Sequence, residues 1–170
     1  MEEAIQNKVK NSSLIALDLA DFKNKIAIAT FDMSELLWQG LVLKEKDFRQ
    51  ALKEKDWTEF QGKAVAILCT ADAIVPTWAF MLVSSYLSEN DIPHLVGSVK
   101  ELEQKLILEN IRSYDISKLQ DGKFIIKGCS DIPNPALMMS ELTKHLFPIA
   151  SSIMYGEPCS TVPIYKRKRK

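Results

Sequence analysis

One passage of this chain is written twice. Gly62-Lys63 followed by Cys69-Thr70 recurs 60 positions later as Gly122-Lys123 followed by Cys129-Ser130. The approach segments Asp56-Trp57-Thr58-Glu59-Phe60 and Asp115-Ile116-Ser117-Lys118-Leu119 share a pattern, with one gap before the glycine. Such repetition restricts the fold to architectures made of equivalent supersecondary units. On this alignment the two units present Cys69 and Cys129 in equivalent places.

Around the repeat, short apolar runs alternate with helical patterns. Residues 64–69 read as a buried strand, and Pro76 opens a helix with Trp78, Met81, Leu82, Ser85 and Tyr86 on one face. Leu95-Val96 is a second short strand. Ser98-Val99-Lys100-Glu101 is a capping box for a helix carrying Leu102, Leu106 and Ile107. Residues 123–128 form a third strand, Asn134-Pro135 starts a helix through about Phe147, and residues 151–155 form a fourth strand. Strand followed by helix, three times over, predicts an α/β fold with a mainly parallel sheet and right-handed helical crossovers. Leu14-Ile15-Ala16-Leu17 and Ile26-Ala27-Ile28-Ala29 read as an added N-terminal antiparallel strand pair, and residues 47–55 as a short helix. No linker rich in Gly, Pro or Ser divides the chain, so a single α/β domain over residues 1–170 is expected, with flexible ends at 1–10 and 166–170.

Cys69, Cys129 and Cys159 are the three cysteines, and each precedes a hydroxyl residue in a turn. Placed after the carboxyl ends of parallel strands, they would converge on the sheet edge where open α/β folds bind ligands. Three soft thiolates suit zinc first, with Asp72, Asp131 or Glu157 as fourth ligand or proton acceptor, and an iron–sulfur cluster as the alternative. A thiol-dependent enzyme and a metal-free interaction module are the readings from other classes; the pattern does not decide between structure and catalysis. His94 begins a strand and His145 ends a helix, which puts both at the opposite edge and away from the thiols. Trp38, Trp57 and Trp78 are expected in the core rather than lining a pocket.

Charge and composition narrow the remaining classes. No apolar stretch reaches the ~18 residues of a membrane span, and Met1-Glu2-Glu3 lacks the features of a secretory signal. A cytoplasmic protein with free thiols is the expectation. The 22 Lys and Arg balance 22 Asp and Glu, but Lys166, Arg167, Lys168, Arg169 and Lys170 hold five of the positive charges, leaving 17 minus 22, or −5, on the rest. Apart from this tail, which reads as a solvated terminus, nothing points to nucleic acid. Dinucleotide, P-loop and nucleophile-elbow motifs are missing from the sequence.

Four long segments resemble a known family: residues 38–49 (Trp38-Gln39-Gly40-Leu41-Val42-Leu43 onward), residues 69–78, Lys127-Gly128-Cys129-Ser130-Asp131, and residues 152–163 ending Glu157-Pro158-Cys159-Ser160-Thr161-Val162-Pro163. The chain is similar over nearly its whole length to an uncharacterised bacterial family, the domain of unknown function 2480, known mainly from Bacteroidetes. The resemblance implies a cytosolic bacterial protein and no particular chemistry.

Overall fold

The structure is a computed structural model that describes residues 14–128, 131–157 and 159–168. Its strands are β1 (Leu14–Asp18), β2 (Ala27–Asp32), β3 (Lys63–Leu68), β4 (His94–Val96), β5 (Gly122–Lys127), β6 (Ala150–Glu157) and β7 (Ser160–Lys166). Its helices are α1 (Glu45–Glu54), α2 (Thr77–Glu89), α3 (Val99–Ser113) and α4 (Pro135–Leu146). The chain contacts cluster in two compact units. One, here unit A, spans residues 25–105 and holds a sheet of order β2-β3-β4. The other, unit B, takes the chain through Asn24 and from Leu106 onward, and holds a sheet of order β1-β5-β6-β7.

The α/β architecture matches the sequence expectation, with two corrections. The parallel strands are shared between two sheets rather than one. The N-terminal strands do not pair with each other: β1 runs parallel to β5, and β2 parallel to β3. The reason lies in β3 and β5, whose Ala64-Val65-Ala66-Ile67 and Phe124-Ile125-Ile126 are buried continuously. Strands of that kind need a hydrogen-bonded neighbour on both edges. The helical crossovers supply β4 and β6 on one side, and the N-terminal strands fill the other. The antiparallel pair is instead β6 with β7, at the C-terminus.

In unit A, Val65, Ile67, Ala79, Val83 and Leu87 close the core with Phe31, Phe48, Trp57 and Phe60. Trp57 stacks between Phe31 and Tyr86 and donates its indole N–H to the Leu52 carbonyl at 3.0 Å. Trp78 is half-buried against this core and Trp38 is exposed, so the tryptophans divide between interior and surface. In unit B the corresponding core is Phe124, Ile126, Ile107, Ile111, Met138, Leu142 and Leu146, joined by Ile153. Each fully buried leucine of this kind contributes roughly 1.5–3 kcal/mol.

Helix starts follow the predicted chemistry. Ser98 and Glu101 form the capping box, with Ser98 N–H donating to Glu101 Oε2 at 2.7 Å and Glu101 N–H to Ser98 Oγ at 3.3 Å. Asn134, left-handed at φ 49°, accepts the Leu137 N–H with Pro135 behind it.

Candidate functional site

The repeat is real, and its register differs by one residue from the sequence alignment. Adding 59 to a residue number carries Asp56 to Asp115, each accepting the N–H two residues on (Thr58, Ser117) at 2.9 Å. The same step carries Val65↔His94 and Ile67↔Val96 onto Phe124↔Ile153 and Ile126↔Tyr155. It carries buried Ala79, Val83 and Leu87 of α2 onto buried Met138, Leu142 and Leu146 of α4. Phe48 and Leu52 of α1 map onto Ile107 and Ile111 of α3. Asp32 closes β2 and caps a 3-10 turn at Ser34 N–H, as Asp18 closes β1 and caps one at Ala20 N–H.

This register separates the cysteines. Gly62 (φ 71°) is equivalent to Asp121 (φ 56°), not to Gly122, and Cys69 is equivalent to Gly128, not to Cys129. Cys69 follows β3 in unit A. It is half-buried, and its thiol donates to the Ala71 carbonyl at 3.7 Å. Cys159 is exposed in the turn between β6 and β7 of unit B. Cys129 lies outside the described residues. Asp72 and Glu157 are exposed, and Asp131 is exposed and paired with Lys23 Nζ at 2.7 Å. That ion pair holds the Asp131 carboxyl below its ordinary range, the hydrogen bond first and the Lys23 charge second.

The expected metal centre is therefore overturned. It required three strands of one sheet to bring their thiols to one edge, and the strands belong to two sheets. Among the described residues no group of three or more His, Cys, Asp or Glu side chains is arranged to hold a metal ion. The proposed zinc-binding function, and the iron–sulfur variant that needed the same convergence, fall with it. The histidines bond backbone carbonyls, His94 Nδ1 with Ile92 O at 2.9 Å and His145 Nε2 with Tyr114 O at 2.8 Å.

What each unit does offer at its carboxyl edge is a pocket, and the two pockets are equivalent. In unit B a cavity of about 620 Å³ is lined by Ile126, Gly128, Met139, Tyr155, Ser140 and Ile164, among others. In unit A a cavity of about 370 Å³ is lined by Ile67, Cys69, Phe80 and Val96, among others. The 59-residue step pairs Ile67 with Ile126, Cys69 with Gly128, Phe80 with Met139 and Val96 with Tyr155. Both pockets open where the central strand ends and the next helix begins, the ligand-binding edge of parallel α/β sheets.

The substitutions explain why the unit B pocket is the larger. A side chain at 128 would collide with the Met139 methyl, 2.4 Å from where its Cβ would stand, so glycine there lets Met139 lie across the strand end. In unit A the same positions hold a thiol and a phenyl ring. Ile164 comes from β7, which has no counterpart in unit A. The unit B lining carries no Asp, Glu, His, Lys or Arg among the described residues. Its polar groups are the Ser140, Thr143 and Tyr155 hydroxyls, and Thr143 donates to the Met139 carbonyl at 2.7 Å.

The molecule is thus an α/β protein of two equivalent parallel-sheet units, with the larger of the two equivalent pockets in unit B. The chain belongs to the family described as Protein of unknown function (DUF2480), whose profile matches residues 3–167. No curated protein and no solved structure matches it. No described helix is long and apolar enough to cross a membrane.

Proposed function

We propose that the protein binds a small molecule in the unit B pocket, a ligand with an apolar body and a hydroxyl or carbonyl group. The observation that carries this reading is the pairing of position with size. A cavity of about 620 Å³ falls within the roughly 300–1,000 Å³ of small-molecule sites, at the sheet edge where such sites occur. Its apolar wall of Ile126, Met139, Ile153, Met154 and Ile164 takes the body of the ligand, and Ser140 and Tyr155 offer hydroxyls to its polar end. The polar groups that the described lining offers are hydroxyls, which suit recognition of a ligand, and the reading is therefore one of binding.

A reducing, cytoplasmic setting fits this reading. Cys69 and Cys159 stand as free thiols, which such a setting would keep reduced.

The test is titration with a neutral, environment-sensitive dye such as Nile red, with native mass spectrometry for co-purifying small molecules. Gly128→Ala places a Cβ 2.4 Å from the Met139 methyl, so this lining side chain must shift, and dye binding is expected to weaken about 10-fold, the scale of one methylene in a tight apolar site. Cys69→Gly, at the equivalent place in unit A, leaves that binding unchanged. Unaltered affinity in Gly128→Ala, with the fold intact by denaturation, would remove the pocket as the site.

A further inference from the structure

We infer that the amino-end groove of the unit B sheet binds the phosphodiester backbone of a single-stranded nucleic acid. The groove, of about 950 Å³, is lined by Asp121, Lys123, Ser151, Ser152, Lys166, Arg167 and Lys168. Sheet register makes it more than a basic tail. Lys123 of β5 lies opposite Ser152 of β6, and Ser152 lies opposite Lys166 of β7. The two lysines therefore flank the serine on one rung across three strands. At ~4.8 Å between neighbouring strands, their backbones stand about 10 Å apart. Among the described residues, Lys123, Lys166 and Lys168 have no carboxylate partner, and the Ser152 hydroxyl has no hydrogen-bond partner.

Residues 166 and 167 are tied down at this place. Lys166 closes β7, the Arg167 N–H donates to Ser151 O at 2.9 Å, and the Arg167 guanidinium pairs with Asp121. That pair neutralises the only acidic lining residue, so four cations against one anion leave three positive charges facing the groove. The fold does not demand them. At the equivalent positions, unit A places Ala64 and Pro93 where unit B has Lys123 and Ser152, and it has no strand corresponding to β7.

The chemistry of such a surface is that of phosphate: ammonium groups for charge and a hydroxyl donor between them. With about 10 Å between its outer strands, the rung spans little more than one sugar–phosphate backbone, and we assign it the flexible single strand rather than the rigid duplex. A bilayer suits it poorly, because the groove is concave and its lining offers no large apolar side chain for insertion.

The experiment is fluorescence anisotropy of the full chain with a labelled single-stranded oligonucleotide of about 15 residues, a span typical of such sites, titrated across salt. Three lysine–phosphate contacts at ~0.7 counterions each predict a log–log salt slope of at least about −2, or roughly 20-fold weaker binding at about 200 mM than at about 50 mM. The double substitution Lys123→Gln with Lys166→Gln is expected to lower the slope to about −0.7. Lys46→Gln with Lys53→Gln, an equal charge change at exposed positions of α1 in unit A, should leave it unchanged. Equal losses in both double variants would overturn the groove in favour of net charge. Binding abolished by removing residues 169 and 170 alone would overturn it in favour of the tail. Tighter binding to the matching duplex, or to phosphatidylserine vesicles, would overturn the assigned partner.

Discussion

Asp32 and Thr70, 38 residues apart, are joined twice: the Thr70 N–H donates to Asp32 Oδ1 at 3.0 Å, and the Thr70 hydroxyl donates to Oδ2. The Ser34 N–H adds a third bond at 2.9 Å. The carboxylate thereby locks the end of β2 to the chain leaving β3, next to the smaller pocket. In unit B the equivalent Asp18 reaches Lys127, the last residue of β5, at 3.4 Å. Each unit uses one aspartate to fasten its outer strand to its central one.

Acid should loosen this fastening in a defined window. Burial pushes the Asp32 carboxyl up, but the bonds from the Thr70 hydroxyl and from the Ser34 and Thr70 amides outweigh it, leaving a pKa of about 2 against an ordinary 3.8. A carboxyl depressed on folding stabilises fully above its unfolded pKa, and that contribution drains as pH falls from about 4 to about 2. With solvent screening, about 1 kcal/mol is at stake. Urea midpoints at pH 7 and pH 2.5 should show Asp32→Asn less stable by about 1 kcal/mol at pH 7 and less acid-sensitive than the parent. Parallel acid curves for the two proteins would contradict the role.

The two glycines of the written repeat should fail differently. Gly62 turns with φ 71° in open space, where unit B uses Asp121 at φ 56°. Gly62→Asn should cost under ~0.5 kcal/mol and Gly62→Ala about 1 kcal/mol, because asparagine tolerates the left-handed region better. Gly122 is held by crowding instead: a Cβ there would stand 2.5 Å from the Phe124 ring and 2.9 Å from the Leu119 carbonyl. Gly122→Ala should cost about 2 kcal/mol or more by overpacking. Denaturant unfolding of the three variants checks the order.

Thiol labelling should follow exposure. Cys159 is exposed in its hairpin turn and Cys69 is half-buried with its Sγ on the Ala71 carbonyl. Maleimide pulses on native protein, read by peptide mass spectrometry, should modify Cys159 well before Cys69. Faster reaction at Cys69 would mean that the loop after β3 opens in solution.

Element types were legible in the sequence because each rests on local chemistry. The strands read over 64–69 and 123–128 formed one residue earlier at each end, as Lys63–Leu68 and Gly122–Lys127, and the Ser98–Glu101 box and Asn134-Pro135 formed as read. Partners across the sheet were not, since β1 and β2 carry no mark of which strand they join. The repeat was visible but misregistered: the identities Gly62/Gly122 and Cys69/Cys129 drew the alignment one residue off. A strand buried on both faces gives no alternation to fix its register. The correct signal was present in residue pairs 59 apart that needed no gap, Asp56/Asp115, Pro76/Pro135 and Gly97/Gly156. The metal centre came from a different step, the gathering of all the parallel strands into one sheet, whereas the wrong register hid the equivalence of Cys69 with Gly128. The larger pocket was missed for the same reason, because its defining feature is a small residue where its twin has a thiol. The lysine rung was missed because Lys123 and Lys166 are neighbours only through Ser152.

The equivalence of the two units gives every future experiment on this protein an internal control. A property that appears at both members of a 59-residue pair reflects what the scaffold must do to stand; one that appears at a single member marks what that unit does beyond standing. By that criterion the place to look is the hairpin strand β7, whose Ile164 borders the large pocket and whose Lys166 borders the basic groove. One added strand distinguishes a plain half from a specialised one.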